Sequence, residues 1–130
     1  MAHDLDDLAP STLEFLTERH LATLTTLRPD GSPHVVPVGV TYDTGTRTAR
    51  VITSGESAKA RHVRAGQRRV AVCQVDGRRW LTLEGTATVR DDPASVRDAE
   101  ARYARRYRQP RENPARVVLE ISVDRVLGNV

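Results

Sequence analysis

Residues 52–63 read Ile52-Thr53-Ser54-Gly55-Glu56-Ser57-Ala58-Lys59-Ala60-Arg61-His62-Val63. The apolar β-type run ending at Ile52 breaks into Thr, Ser and Gly and then takes up helical spacing, so a strand hands over here to a helix N-terminus. The first turn of a helix has unpaired backbone N–H groups and the positive end of the dipole. Hydroxyls and an ammonium at that place make a socket for a phosphate. Lys59 is the only lysine among twenty lysines and arginines, and it brings a compact point charge where arginine brings a planar fork. The competing reading is a solvated helix charge left over from a strong arginine bias, and single surface charges usually do nothing specific.

Upstream, residues 1–10 form an acidic stretch read as a flexible arm, and Pro10-Ser11 opens a short helix with Leu13, Phe15 and Leu16 on its apolar side, ending near His20. Residues 21–27 are β-branched and apolar, 28–33 are turn chemistry and 34–42 resume a strand, which makes a hairpin. The Asp43-Thr44-Gly45 turn leads to the strand that delivers the socket. Downstream, residues 69–75, the Asp76-Gly77 turn and a long strand over 78–89 make a second hairpin. Asp92-Pro93 starts a helix to about Arg108 with Val96, Ala99, Tyr103 and Tyr107 on one face, Pro110 and Pro114 end it, and 117–126 alternate as a last strand. Six strands in hairpin-rich groups predict a mainly β (α+β) fold. It is one split-barrel domain over 11–130, a six-stranded antiparallel barrel, closed or half-closed, with short peripheral helices.

The chain has 130 residues, 38 % hydrophobic and only 4 % aromatic, lean for a monomer that must bury a core unaided, so a homodimer is expected. A net charge of +3 favours acidic ligands but falls short of a dedicated nucleic-acid surface. Cys73 is alone, the acidic N-terminus lacks a signal-peptide core, and no apolar run is long enough to span a bilayer. A reducing cytoplasmic location without membrane association follows as an expectation. His20, His34 and His62 lack metal-ligand spacing, so no metal is expected. Serine-hydrolase, P-loop and Rossmann motifs are absent, as are paired catalytic acids. Arg97, Arg102, Arg105, Arg106 and Arg108 alternate with acids and read as a solvated helix face. Trp80 is either a core aromatic or a flat wall beside a planar cofactor.

The order hairpin, Ile52-Thr53-x-x-Glu56-Ser57-x-Lys59, then Arg79-Trp80-Leu81-Thr82-Leu83-Glu84-Gly85 resembles the split-barrel flavin and deazaflavin oxidoreductases, the superfamily of pyridoxamine phosphate oxidase. Within it the stretches 18–22, 24–28, 32–36, 49–53, 74–77, 96–100 and 125–128 are similar to the F420-dependent biliverdin reductases. Pro37 and Glu56 depart locally from the pattern. The resemblance implies an FMN-binding-like barrel and an oxidoreductase that passes hydride from coenzyme F420 to the central methine bridge of biliverdin, giving bilirubin. It implies that Lys59 and the hydroxyls of Thr53, Ser54 and Ser57 grip the cofactor phosphate, with Ala60 beside them. The backbone of His34, Val35, Val36, Pro37 and Val38 and of Ile52 would face the ring. Gln74, Trp80 and Leu81 would complete the site, Trp80 and its neighbours coming from the other subunit. No side-chain nucleophile is needed when the cofactor carries the chemistry. Arg61 and Arg64 would meet the acidic tail of F420, and Arg79 and Arg111 the substrate propionates. Use of FMN by a small flavin reductase or oxidase, and a non-catalytic cofactor or tetrapyrrole carrier, are the alternatives.

Overall fold

Seven antiparallel strands make a single sheet, seen in a computed structural model that describes residues 2–130. In chain order the elements are α1 (Pro10–Thr17), β1 (Ala22–Leu27), β2 (Pro33–Val38), β3 (Thr41–Asp43), β4 (Thr48–Ser54), α2 (Ala58–Arg64), β5 (Arg69–Asp76), β6 (Arg79–Arg90), α3 (Pro93–Arg106) and β7 (Arg116–Gly128). The strand order is β2-β1-β5-β6-β7-β4-β3.

The six strands expected from the sequence are corrected to seven, and of the closed and half-closed forms expected the closed one is ruled out. The strand expected over 34–42 splits at Gly39-Val40, which adds a seventh strand, and the hydrogen-bonded ladder does not close. Both points have one cause. β2 pairs only with β1 at one edge of the sheet, and β3 only with β4 at the other. Gly39 and Val40 alone carry the chain between those edges, and the three Cα steps from Val38 to Thr41 span at most about 11 Å. The sheet must therefore curl until its edges nearly meet, and the backbone itself bridges the split. Two prolines, Pro33 and Pro37, sit in β2, as an edge strand permits because no ladder bond is lost on its free side.

Alternation along the strands sorts side chains to two faces. Leu24, Val38, Val51, Val72, Leu83, Leu119, Ile121 and Val126 point inward and are at most 8 % exposed. Phe15 and Leu16 of α1 and Ala60 and Val63 of α2 seal the barrel interior. A bulge in the β6–β7 pairing at Glu84/Gly85 bends the long strands. Gly85 is required there, because a Cβ would lie 2.1 Å from the Ser122 carbonyl oxygen. α3 starts as read, with Pro93 in its first turn and the Asp92 carboxylate accepting from the Ser95 N–H. Of the N-terminal arm, Ala2 bridges to Leu127, the His3 N–H donates to the Val126 carbonyl at 2.7 Å, Leu5 packs against the core, and Asp6 pairs with Arg47.

Candidate functional site

β4 ends and α2 begins as the sequence indicates. Ser57 is the N-cap, its hydroxyl accepting from the Ala60 N–H at 3.4 Å and from the Thr53 hydroxyl at 3.0 Å. With two bonds accepted, the Ser57 hydroxyl hydrogen is left uncommitted, and Thr53 polarises it. Lys59 follows within the first turn, half-buried, and no carboxylate lies within 4 Å of its ammonium among the described residues. Burial holds its pKa below the usual lysine value. A cation desolvated without a partner is unfavourable on its own and favours an incoming anion.

Lys59 opens onto a cavity of about 460 Å³. One wall is Pro37, Val38 and Gly39 at the end of β2, with Ile52 and Thr53 of β4 beside it. The other is Tyr103 of α3 and the connection to β7, including Arg108, Gln109, Arg111, Asn113 and Arg116. Among the described residues, four cations thus line the cavity and no carboxylate does. Arg116 is held by Glu100 at 2.6 Å, which leaves Lys59, Arg108 and Arg111 without an acidic partner within 4 Å among the described residues. This donor set fits a phosphate-bearing cofactor with further acidic groups.

The cavity brings together Pro37, Val38, Ile52, Thr53, Lys59 and Arg111 from the residues singled out in the sequence. Ser54 and Ser57 belong to the adjoining strand-to-helix turn. His34, Val35 and Val36 lie further along β2; the His34 ring packs edge-on against His62 at 5.1 Å, and the His62 Nδ1 meets the buried Thr26 hydroxyl at 2.9 Å. Arg61 and Arg64 turn back on the loop, donating to the carbonyls of Glu56 at 3.2 Å and Gly55 at 3.0 Å. Ala60 is fully buried in the core, as is Leu81 at 1 % exposure. Gln74, 2 % exposed, donates to the Phe15 carbonyl and accepts from Arg106. Trp80 lies beside Asn129 at the far end of β7, whereas Thr53 pairs with Val117 near its start. Twelve residues of strand separate the two, roughly 40 Å of contour, so within one protomer Trp80 stands away from the cavity.

Arg79 is committed elsewhere. It donates to Glu18 at 3.0 Å and to Asp76, and its guanidinium stacks 4.7 Å from the centre of the Phe15 ring. His20 and Arg79 together hold the Glu18 carboxyl below its usual pKa. Glu18, His20 and Asp76 come within 4.8 Å of one another, a proximity invisible in their sequence spacing. With Arg79 bonded to both carboxylates, the group is an ion-pair network.

Sequence reasoning missed Gly39, Tyr103, Arg108, Gln109, Asn113 and Arg116 as cavity residues. Arg108 reads from the sequence as part of a solvated helix face, yet α3 stops at Arg106 and the chain from Arg108 onward lines the cavity. The available signal was Pro110 and Pro114 bracketing two more cationic and amide residues, since a proline-punctuated loop beside a strand is a common place for binding groups. Arg106, which reads in the same way, is instead largely withdrawn from water, and burial lowers its pKa.

The fold and the sequence have clear relatives. The chain is 58 % identical over 130 residues to the F420H(2)-dependent biliverdin reductase of Mycobacterium tuberculosis (strain CDC 1551 / Oshkosh), covering 99 % of this chain and 93 % of that protein. Among solved structures it resembles a conserved hypothetical protein of Mycobacterium tuberculosis, with TM-score 0.78 and 22 % identity over 94 % of this chain and 84 % of the other. It also resembles an F420 reductase, with TM-score 0.71 and 24 % identity over 88 % and 94 %. The family model for pyridoxamine 5'-phosphate oxidase matches residues 8–129, and with nearly the whole chain matched, the protein belongs to that family.

Proposed function

We propose that this protein is an F420-dependent oxidoreductase that reduces a tetrapyrrole of the biliverdin type to bilirubin. The observation that carries the reading is the near-full-length 58 % identity to a biliverdin reductase of that cofactor class. The unpaired Lys59 in a cavity lined only by cations and neutral groups supports it. Reduced F420, when bound, supplies the hydride. The protein's part is to bind, orient and exclude water. Lys59, Thr53, Ser54 and the free Ser57 hydroxyl would hold the phosphate at the head of α2. Backbone groups on the free edge of β2, from His34 to Val38, and the backbone at Ile52 would face the ring. Arg61 and Arg64 each keep unspent N–H donors for an acidic tail leaving the phosphate. Arg111, with Arg108, would meet the substrate propionates inside the cavity.

A second copy of the chain completes this reading. Register aligns Val35-Thr25-Ala71-Glu84 and Pro37-Thr23-Cys73-Thr82 across the outward face of β2, β1, β5 and β6, with Val75 and Trp80 paired in the next outward row and Leu21 leading into β1. Only Glu84 is charged in these rows, and Leu21, Val35 and Val75 are 68 %, 57 % and 58 % exposed. A largely uncharged sheet face carrying exposed Leu21, Val35 and Val75 favours self-association. Docked there, a partner would bring its own Trp80 toward the ring of this protomer, a reading consistent with the separation of Trp80 from the cavity within one chain. No described helix is long and apolar enough to cross a membrane, and a reducing cytoplasmic location suits the free Cys73.

The test is a side-by-side titration with F420 and FMN, followed by anaerobic turnover of biliverdin with each reduced cofactor and with NADPH. Turnover with reduced F420 alone is expected. Equal rates with reduced FMN would overturn the assignment in favour of a flavin reductase, and tight binding without turnover would favour a carrier.

A further inference from the structure

Val40 is 1 % exposed and lies in the two-residue crossing between opposite sheet edges, where neither its N–H nor its C=O has a ladder partner. Buried backbone groups must be satisfied somewhere, and here the end of α3 does it with side chains. The Val40 N–H donates to the Tyr107 hydroxyl oxygen at 3.1 Å, and the Val40 carbonyl accepts from Arg106 Nη1 at 2.6 Å. Tyr107 donates its own hydrogen chiefly to the His20 carbonyl, at 2.6 Å. Arg106 reaches three more neutral acceptors: the carbonyls of Glu18 at 2.8 Å and Phe15 at 3.3 Å, and Gln74 Oε1 at 2.6 Å. The guanidinium therefore ties the C-terminal end of α1, strand β5 and the crossing to the end of α3. None of its direct acceptors is a carboxylate, so hydrogen-bond geometry fixes its place.

Both walls of the cavity meet at this joint. Pro37, Val38 and Gly39 run directly into Val40, and the connection carrying Arg108 and Arg111 runs directly out of Tyr107. Between them stands Tyr103, whose ring would lie 2.7 Å from a Cβ on Gly39; the Tyr107 ring would lie 3.0 Å away. We infer that Arg106 and Tyr107 are positioning residues that set the width of the cofactor cavity, with Gly39 as the spacer that lets its walls close to that width. This rests on the F420 reading given above. It divides the affinity into two parts: a phosphate part borne by Lys59 on α2, and a ring part that depends on the Val40 joint.

Three variants perturb the joint by different means. Tyr107→Phe removes its hydroxyl, Arg106→Met removes its charge while keeping length, and Gly39→Ala wedges the rings off the crossing. Ile121→Val, in the barrel core, serves as a control for general destabilisation. Val40 amide hydrogen exchange in the cofactor-free protein, F420 Kd by fluorescence, the salt dependence of that Kd, and the melting temperature are measured for each. The expectation is faster Val40 exchange in Tyr107→Phe and Arg106→Met. F420 affinity should weaken about tenfold in all three joint variants, as unsatisfied buried groups and an opened wall imply. The salt slope should keep its wild-type value because Lys59 is untouched, and Ile121→Val should retain wild-type Kd at a comparable melting temperature. Wild-type Kd in both Tyr107→Phe and Gly39→Ala would overturn the inference, as would a loss of affinity in Ile121→Val that follows melting temperature on the same line. A wild-type protein that binds FMN and not F420 would instead overturn the cofactor reading, and the joint variants titrated with FMN would then separate the two failures.

Discussion

Replacing Lys59 should move affinity and apo stability in opposite directions. In the cofactor-free protein the ammonium is half-buried with no acidic partner within 4 Å among the described residues, and burial lowers its pKa. A base whose folded pKa is depressed subtracts stability wherever the unfolded chain is protonated, and that deficit fades only as pH rises toward the ordinary lysine value. Lys59→Met should therefore leave the apo melting temperature at pH 7 unchanged or slightly raised. In the complex the same substitution removes a charge-assisted contact to phosphate, a change of roughly 1.5–3 kcal/mol, or about 10- to 150-fold in Kd. Lys59→Arg should also weaken binding, because a planar fork does not occupy the place of a point charge and Arg108 and Arg111 already crowd the opposite wall. Fluorescence titration with F420 at two salt concentrations, beside thermal melts without cofactor, reads both quantities. A Lys59→Met protein with wild-type affinity, or one whose apo form melts many degrees lower, would refute the reasoning and return Lys59 to an ordinary helix charge.

Removing Arg61 and Arg64 together should weaken F420 more than FMN and flatten the salt dependence of F420 binding, whereas removing Arg108 and Arg111 should raise KM for biliverdin; isothermal titration and steady-state kinetics separate the two. Val75→Asp, placed beside Trp80 at the end of the outward face, should give a folded 14.4 kDa monomer with impaired cofactor binding, and light scattering that still finds a dimer would count against the proposed interface. His62 has a folded pKa held below its ordinary value by burial and by His34, Arg28 and Arg61. The unfolded state therefore binds the extra proton first, and stability should be intact above about pH 6.5 and fall as pH drops below it. His62→Asn should flatten that acid limb, as followed by melting temperature between pH 7 and 5.

Much of this protein is local, and local features are legible in a linear chain. The hairpin turns, the Asp92-Pro93 helix start and the break from Ile52 into Ser57 and Lys59 are set by backbone sterics and capping within a few residues, and each stands where the sequence puts it. The face Val96-Ala99-Tyr103 follows from helical period, whereas Tyr107, expected to continue it, lies just past the end of α3. What lay beyond reach depends on contacts distant in sequence. Gly39-Val40 reads as the middle of a strand because its residues suit one; only the curl of the whole sheet places β2 and β3 on opposite edges and turns that pair into a bridge. Arg106 reads as one more solvated arginine until the fold delivers carbonyls from Phe15, Glu18 and Val40 around it. Arg79 reads as a substrate fork until Glu18 and Asp76 close on it. Periodicity reports which side of an element faces inward, but the partners that decide a charge's task are brought there by tertiary closure, and no spacing along the chain encodes them.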